Sequence, residues 1–151
     1  MISKRNFLQG VGLAVVAAPF AGPALAAEPP VFANGGQAIR GYDPVAYFKQ
    51  GAPVRGTQAH THRWNGAEWL FSSDANRAAF AADPEAFAPQ YGGYCAWAVA
   101  EGYTASTVPE AWKIVDGKLY LNFSRRIQRR WERDIPGNIA RGDGNWPAVL
   151  N

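Results

Sequence analysis

The residues best suited to chemistry in this 151-residue chain are one cysteine and two histidines. Cys95 is the only cysteine, and His60 and His62 are the only histidines. A lone thiol cannot close a disulfide within one chain, so Cys95 is a packed core residue, a metal ligand, a redox group or a nucleophile. The choice among these roles is the main functional question that the sequence raises.

A metal site is the first specific hypothesis for these three residues. His60 and His62 lie two apart in a predicted strand, so both imidazoles should project from one face of it. Cys95 would add a thiolate, and a set of two histidines and one cysteine suits copper or zinc with an open coordination position. The alternative is that both histidines are solvent-facing residues of an edge strand. Nothing in the sequence sets the distance from this strand to Cys95, so both interpretations stay open.

Nucleophilic catalysis by Cys95 is the second hypothesis. Gly92 and Gly93 allow close backbone approach, and they place Cys95 at the start of a predicted helix that runs toward Glu101. A helix N-terminus would lower the pKa of a thiol and activate it. The residues around Cys95 are largely apolar, however, and this environment favours inert packing.

Several aspartates and aromatic residues are also candidates for function, and each has a structural interpretation as well. The carboxylates that precede predicted helices are interpreted as N-caps, not as paired catalytic groups, and they are Asp43, Asp74 and Asp83. Five aromatic residues are candidates to line a ligand pocket or to pack in the core, namely Tyr42, Tyr47, Tyr91, Tyr94 and Trp97.

Residues 1–26 are predicted to be a signal peptide. Lys4 and Arg5 give it a positive start, an apolar run follows, and small residues at its end place the expected cleavage before Ala27. Lys4-Arg5 also resembles the twin-arginine export motif with a lysine in the first position, so twin-arginine export and the general secretory route both stay open. The mature protein is therefore expected in the periplasm or outside the cell. It should carry no transmembrane segment, because the apolar run is short and interrupted by prolines.

Removal of the signal peptide lowers the charge of the protein. The whole chain has 15 Lys and Arg against 12 Asp and Glu; without Lys4 and Arg5 the balance is 13 against 12, a net charge of +1. Nucleic-acid binding is not expected at this charge without a basic stripe. One basic cluster remains, interpreted as a solvated helix face or as a surface for an anionic partner or lipid headgroups. Its members are Arg125, Arg126, Arg129, Arg130 and Arg133.

Turn and capping signals predict a small single domain of the α+β class. Asn65-Gly66 should join strands 57–64 and 67–71 in a hairpin, and Asp116-Gly117 should join strands 112–115 and 118–123 in another. We expect the two hairpins to form one antiparallel sheet, with several short helices around it. Residues 27–40 are predicted to be an N-terminal extension of this domain.

The helices are predicted from residues that begin or end them. Asp43-Pro44 and Asp83-Pro84 should each start a short helix. Ser73 or Asp74 should cap a helix that runs through Ala82. Ser124 should cap the last helix, which Pro136 is expected to end.

The two predicted hairpin–helix units share a pattern. Counted from Gly66 and from Gly117, an aromatic residue comes third, a leucine fourth, a serine seventh and an aromatic residue fourteenth. The matched pairs are Trp69 and Tyr120, Leu70 and Leu121, Ser73 and Ser124, and Phe80 and Trp131. The pattern predicts two similar units packed together, although any serine-capped hairpin–helix would give part of it.

Several stretches of the chain together carry a resemblance to a known family. They include DPVAYF at 43–48, GAEWLFSS at 66–73, YGGYCA at 91–96, DGKLYLN at 116–122 and NWP at 145–147. In this combination and order, they resemble the exported bacterial proteins that contain a YHS domain. The resemblance implies that residues 41–151 form a YHS-like domain. Many members of that family are associated with metals through cysteines at positions that hold Ala46, Ser72 and Asn76 in this chain, so that metal site does not carry over.

The sequence therefore predicts a periplasmic YHS-like binding or accessory module. Its expected partner is a metal ion, copper or zinc, or a periplasmic protein. The alternatives from other classes are a thiol-dependent enzyme that uses Cys95 and a purely structural protein-interaction domain.

Overall fold

The computed structural model describes residues 27–151, and the predicted signal peptide at 1–26 lies outside the described residues. The strands are β1 (Ala33–Asn34), β2 (Gln37–Ala38), β3 (Thr57–Trp64), β4 (Ala67–Phe71), β5 (Trp112–Val115) and β6 (Lys118–Leu121). The helices are α1 (Pro44–Lys49), α2 (Asp74–Ala82), α3 (Pro84–Phe87), α4 (Ala96–Glu101), α5 (Arg125–Glu132) and α6 (Ile135–Asn145). Each helix in this part of the chain is too short or too polar to cross a lipid bilayer.

The strands form two separate sheets, which confirms the α+β class and corrects its details. One is a four-stranded mixed sheet in the order β1-β2-β4-β3, and the other is the two-stranded antiparallel pair β5-β6. Both predicted hairpins are present, but they do not join in one sheet. β2 runs parallel to β4 and occupies its second edge, with Gln37 opposite Glu68, whereas β5 and β6 pair with each other. The segment predicted to be an extension thus supplies two strands of the sheet.

Local sequence signals place the hairpins and most helix starts correctly. Both turns have positive φ at their two central residues, 51° and 81° at Asn65-Gly66 and 51° and 73° at Asp116-Gly117, as tight hairpins of this type require. The Ser73 side chain accepts a hydrogen bond in the first turn of α2 and caps it. Asp83 precedes α3, but its side chain makes no capping hydrogen bond, so that predicted cap is wrong.

Pro136 begins a helix and does not end one. α5 ends at Glu132, and the Asp134 carboxylate then accepts a hydrogen bond of 3.1 Å from the backbone N–H of Gly137. This bond caps α6, in which Pro136 lies in the first turn. Proline is tolerated there because the first N–H groups of a helix have no partner within it. α6, which packs against α4, was missed in the sequence.

The two halves of the chain repeat one local structure over a longer stretch than the sequence pattern indicated. Residues 39–41 and 91–93 are both turns in which all three residues have positive φ. The next residue in each half, Tyr42 or Tyr94, donates its backbone N–H to the first carbonyl of that turn, at 3.2 Å and 3.0 Å respectively. A six-residue helix follows in both halves, α1 after Asp43 and α4 after Cys95.

The hairpin and the capped helix complete each repeat with similar packing. Ser73 and Ser124 both accept a capping hydrogen bond of 3.1 Å from a backbone N–H in the first turn of the helix that follows. The rings of Trp69 and Phe80 lie 5.1 Å apart at 35°, and those of Tyr120 and Trp131 lie 5.2 Å apart at 36°. We therefore call residues 39–82 the first unit and residues 91–132 the second unit.

Candidate functional site

The Asp43 carboxylate is fully buried at the start of α1 and accepts five hydrogen bonds. Its Oδ1 accepts from the backbone N–H of Val45 at 2.8 Å and of Ala46 at 3.2 Å, which caps the helix. Its Oδ2 accepts from the backbone N–H and the hydroxyl of Ser72, at 2.8 Å and 2.7 Å, and from Nδ2 of Asn76 at 2.8 Å. These bonds tie α1 to the end of β4 and to α2.

Ala46, Ser72 and Asn76 meet at this carboxylate, and each donates a hydrogen bond to Asp43. These are the three positions at which the resemblance to YHS-domain proteins would place cysteines. A metal ion at this point would have to displace N–H and O–H donors from the carboxylate. The cluster is therefore an anchor in which hydrogen bonds stabilise a buried charge.

Cys95 occupies in the second unit the position that Asp43 has in the first. Its side chain is only 1 % exposed at the start of α4. Its Sγ accepts a hydrogen bond of 3.3 Å from the backbone N–H of Phe123, as Asp43 accepts one from Ser72. The same sulfur donates to Oδ1 of Asn122 at 3.5 Å. The thiol thus connects α4 to the end of β6, as the carboxylate connects α1 to the end of β4.

The environment of Cys95 is that of a packed thiol. Burial raises its pKa above the ordinary value of 9.0 and outweighs three backbone N–H groups that act in the opposite direction. Those N–H groups belong to Ala98, Phe123 and Trp97. A nucleophilic cysteine needs a lowered pKa and access for its substrate. The helix start that the sequence predicted for Cys95 is confirmed, but the activation expected from it is outweighed by burial.

The structure does not bring the three predicted metal ligands together. His60 and His62 lie on β3, where His62 pairs across the sheet with Trp69. The His62 ring lies edge-on to Phe80, with 6.1 Å between the ring centres. Within residues 27–151, no three His, Cys, Asp or Glu side chains are placed to hold one metal ion. The predicted site is therefore not assembled, because the histidines belong to the first unit and the thiol is enclosed in the second.

A cleft of about 520 Å³ lies where the two units and α6 meet. Its size is within the usual range for small-molecule sites, about 300 to 1,000 Å³. Four aromatic side chains lie along its walls, and they are Trp64 and Trp69 from the first unit, Tyr91 from the second unit and Trp146, which directly follows α6. Trp69 and Tyr91 are buried, whereas Trp64 and Trp146 are partly exposed. The charged residues of the lining are Glu85, Lys118 and Asp143, so carboxylates outnumber ammonium groups there.

Tyr91 and Asp143 form the best-defined polar contact of this cleft. The hydroxyl of Tyr91 donates to the Asp143 carboxylate at 2.9 Å and fixes its orientation. Burial, followed by the nearby charge and hydrogen bond of Asp143, raises the pKa of Tyr91 well above its ordinary range, so the tyrosine stays a donor. The ring of Tyr91 also lies 6.0 Å from that of Trp146, so one residue orders both the acidic and the aromatic parts of the wall.

Comparisons with models of protein families, with curated proteins and with solved structures found no match to this chain. The functional proposal therefore depends on the sequence and on the geometry of the residues that the structure describes.

Sequence reasoning found only part of this cleft. Of the five aromatic candidates for a pocket, Tyr91 lines it, whereas Tyr47 is buried in the first unit with its hydroxyl bonded to the carbonyl of Pro109. Lys118 comes from β6, Asp143 from α6 and Trp146 from the position directly after α6, and no spacing in the sequence links them. The one signal in the sequence was the Gly92-Gly93 pair beside Tyr91, which indicates an unusual turn. The structure shows that Tyr91 itself has positive φ there, and such strain in a non-glycine residue is common near functional sites.

Proposed function

We propose that the protein is a periplasmic YHS-like binding module that holds a small, positively charged organic molecule in the cleft between its two units. The observation that carries the proposal is the lining of that cleft, which combines the partly exposed rings of Trp64 and Trp146 with an excess of carboxylates. Aromatic faces attract organic cations by about 0.5 to 2 kcal/mol each, more where water is excluded.

The two carboxylates of the cleft are available to a ligand. Among the described residues, neither Glu85 nor Asp143 belongs to an ion pair. Asp143 is held in place by Tyr91, so it would not have to be ordered when a cation binds. Lys118 is the only cationic side chain among the described residues of the lining, and it leaves the site with a net negative charge.

The family and the location in this proposal rest on the sequence. The export signal predicted at 1–26 is the reason to expect a periplasmic protein. The meeting of Ala46, Ser72 and Asn76 around Asp43 supports the YHS resemblance, because residues 43–46 and 72–76, which are separate segments of the chain, become neighbours. The proposed ligand is an organic cation and not a metal ion, since the described residues include no group of three His, Cys, Asp or Glu side chains that could hold a metal.

A ligand titration tests the cleft. We expect choline to bind and to change the tryptophan fluorescence, since Trp64 and Trp146 line the site. Its neutral carbon isostere, 3,3-dimethylbutan-1-ol, should bind at least about tenfold more weakly, because it lacks the charge that the aromatic faces and carboxylates attract. Equal affinities for the two molecules, or no binding of choline or tetramethylammonium at millimolar concentrations, would contradict the proposal.

A pair of charge variants locates the binding. Asp143→Asn removes the charge but keeps an oxygen for the Tyr91 hydroxyl, and it should weaken choline binding about fivefold or more. Glu110→Gln removes an equal charge from an exposed residue outside the cleft and should leave the affinity unchanged. The proposal fails if both variants bind choline as the wild type does.

Thiol labelling separates this proposal from the enzyme alternative. Because Cys95 is buried and its pKa is raised, iodoacetamide at neutral pH should react far more slowly with the folded protein than with the unfolded one. A nucleophile would instead react faster than the unfolded chain. Faster labelling of the folded protein would favour the thiol-dependent enzyme over the binding module.

A further inference from the structure

The outer surface of α5 carries a continuous face of arginines. Four of them, at 126, 129, 130 and 133, follow the spacing that places residues on one side of a helix, and Arg125 borders them. We call these five residues the arginine face, and all of them are exposed. The opposite side of α5 packs into the protein through the fully buried Trp131.

The nearby acidic residues are engaged elsewhere and do not neutralise this face. Glu132 pairs with Lys113 at 3.4 Å. Asp134 caps α6 and lies 3.9 Å from Arg141. Among the described residues, no member of the arginine face belongs to an ion pair. Arg130 lies instead over the ring of Trp97, at 5.7 Å from its centre, and remains exposed.

The first unit shows that the fold does not require these arginines. α2 is the counterpart of α5 and begins after an equivalent serine cap. Counted from that cap, the positions of Arg126, Arg129, Arg130 and Arg133 correspond to alanines in α2. They are Ala75, Ala78, Ala79 and Ala82. The same element thus forms without a basic surface, so the helix does not need these arginines in order to form, and among these described residues only Arg130 has a contact with an aromatic ring.

An exposed aromatic residue lies at one end of the arginine face. Phe123 is 51 % exposed and comes directly before the serine that caps α5. Its counterpart before the cap of α2 is Ser72, a polar residue. The second unit therefore differs from the first both by the positive charge of its helix and by an exposed phenylalanine directly before that helix.

We propose that the arginine face and Phe123 dock the protein onto an anionic phospholipid membrane surface. Basic side chains close to such a surface are each attracted to it, and an aromatic side chain at the edge can insert among the headgroups. The proposed ligand cleft takes no part, so this inference stands independently of it. The low net charge of +1 for residues 27–151, from 13 basic and 12 acidic side chains, means that attraction must come from this local face.

Vesicle sedimentation tests the proposal with the protein purified from the periplasm after removal of the signal peptide. We expect binding to vesicles of equimolar phosphatidylcholine and phosphatidylglycerol and no binding to pure phosphatidylcholine. Binding should disappear at about 1 M salt, where the screening length falls to about 3 Å. Equal binding to both vesicle types, or binding to neither, would overturn the proposal.

Matched variants assign the binding to the arginine face. The triple variant Arg126→Ala, Arg129→Ala and Arg133→Ala copies the alanines of α2 and should fold normally. It should lose affinity for the anionic vesicles about fivefold per arginine, roughly a hundredfold in all. The control variant Lys49→Ala, Arg55→Ala and Arg63→Ala removes the same charge from exposed sites of the first unit, and it should lose less than about threefold. An equal loss in the two variants would reduce the effect to net charge and contradict the proposal.

Two further measurements complete the test. Phe123→Ser copies Ser72 and should weaken binding to the anionic vesicles by a few-fold, with less dependence on salt than the arginine variant shows. Unchanged binding in this variant would remove Phe123 from the docking surface. If the wild type binds a heparin column but not the vesicles, and the triple variant binds neither, the face takes a soluble polyanion and the membrane proposal is wrong.

Discussion

At the scale of single residues, Asp43 and Cys95 are best understood as a pair. Each precedes the first helix of its unit, and each accepts a backbone hydrogen bond from the segment that follows the second strand of the hairpin. A carboxylate in this position needs several donors, which Ser72 and Asn76 supply. A thiol needs fewer, and Cys95 has two polar partners, the backbone N–H of Phe123 and Oδ1 of Asn122.

The Asp43 cluster predicts strong and coupled effects on stability. Asp43→Ala should lower the free energy of unfolding by about 3 kcal/mol or more, because it leaves the buried amide of Asn76 and the Ser72 donors without their acceptor. Asn76→Ala should cost about 1 to 2 kcal/mol. Urea denaturation of both single variants measures these changes.

The double variant is the control for this prediction. If Asn76 acts through Asp43, then Asn76→Ala should cost clearly less in the Asp43→Ala protein than in the wild type. Additive losses would mean that the two side chains stabilise the protein independently.

At the scale of elements, the same helix appears twice with different outer surfaces. α2 and α5 share a serine cap and a buried aromatic residue, Phe80 or Trp131. Their solvent-facing positions are unrelated, alanines in one and arginines in the other. Capping and packing therefore determine that a helix forms, while its exposed positions remain free to serve binding.

The two serine caps should make similar contributions to stability. Ser73→Ala and Ser124→Ala should each lower the free energy of unfolding by about 1 kcal/mol, because both hydroxyls accept one N–H in the same geometry. The corresponding changes to glycine should cost only a few tenths of a kcal/mol. Thermal and urea unfolding compare the four variants, and a large difference between the two alanine variants would show that the units are not equivalent.

At the scale of the whole molecule, the buried tyrosines and the buried cysteine are held in their protonated, uncharged forms. Burial is the largest cause that raises the pKa of each of five side chains, namely Tyr47, Tyr91, Tyr94, Cys95 and Tyr120. In the unfolded chain these groups return to their ordinary values, 9.0 for the cysteine and 10.0 for the tyrosines. The native protein therefore holds protons that the unfolded chain releases in alkali.

This difference predicts a loss of stability at high pH. The contribution of these groups is fully present below about pH 9 and falls as the pH rises through the ordinary values toward the raised ones, by up to about 1.4 kcal/mol per pH unit for each group. Cys95→Ser should remove the earliest part of the fall, near pH 9, and leave the later tyrosine part. Urea midpoints between pH 7 and pH 11 measure it, and a stability that is constant or rising over this range would contradict the prediction.

The sequence by itself determined the parts of this protein that depend on local geometry. Asn65-Gly66 and Asp116-Gly117 specify tight turns because their residues tolerate positive φ, and Ser73 and Ser124 specify helix starts because a hydroxyl satisfies a free N–H. The prediction that Pro136 ends a helix was wrong, because proline is compatible both with the end of one helix and with the first turn of the next.

Tertiary structure alone decided which of these elements meet. It placed β2 beside β4 and brought Ser72 and Asn76 to the Asp43 carboxylate. It did not bring His60 and His62 together with Cys95 in a metal site. These outcomes depend on packing between residues that are distant in the chain, which no spacing in the sequence records. The sequence left the role of the lone thiol open, with apolar neighbours that favoured packing. The fold buries it, and burial favours its protonated form more than the helix start favours the thiolate.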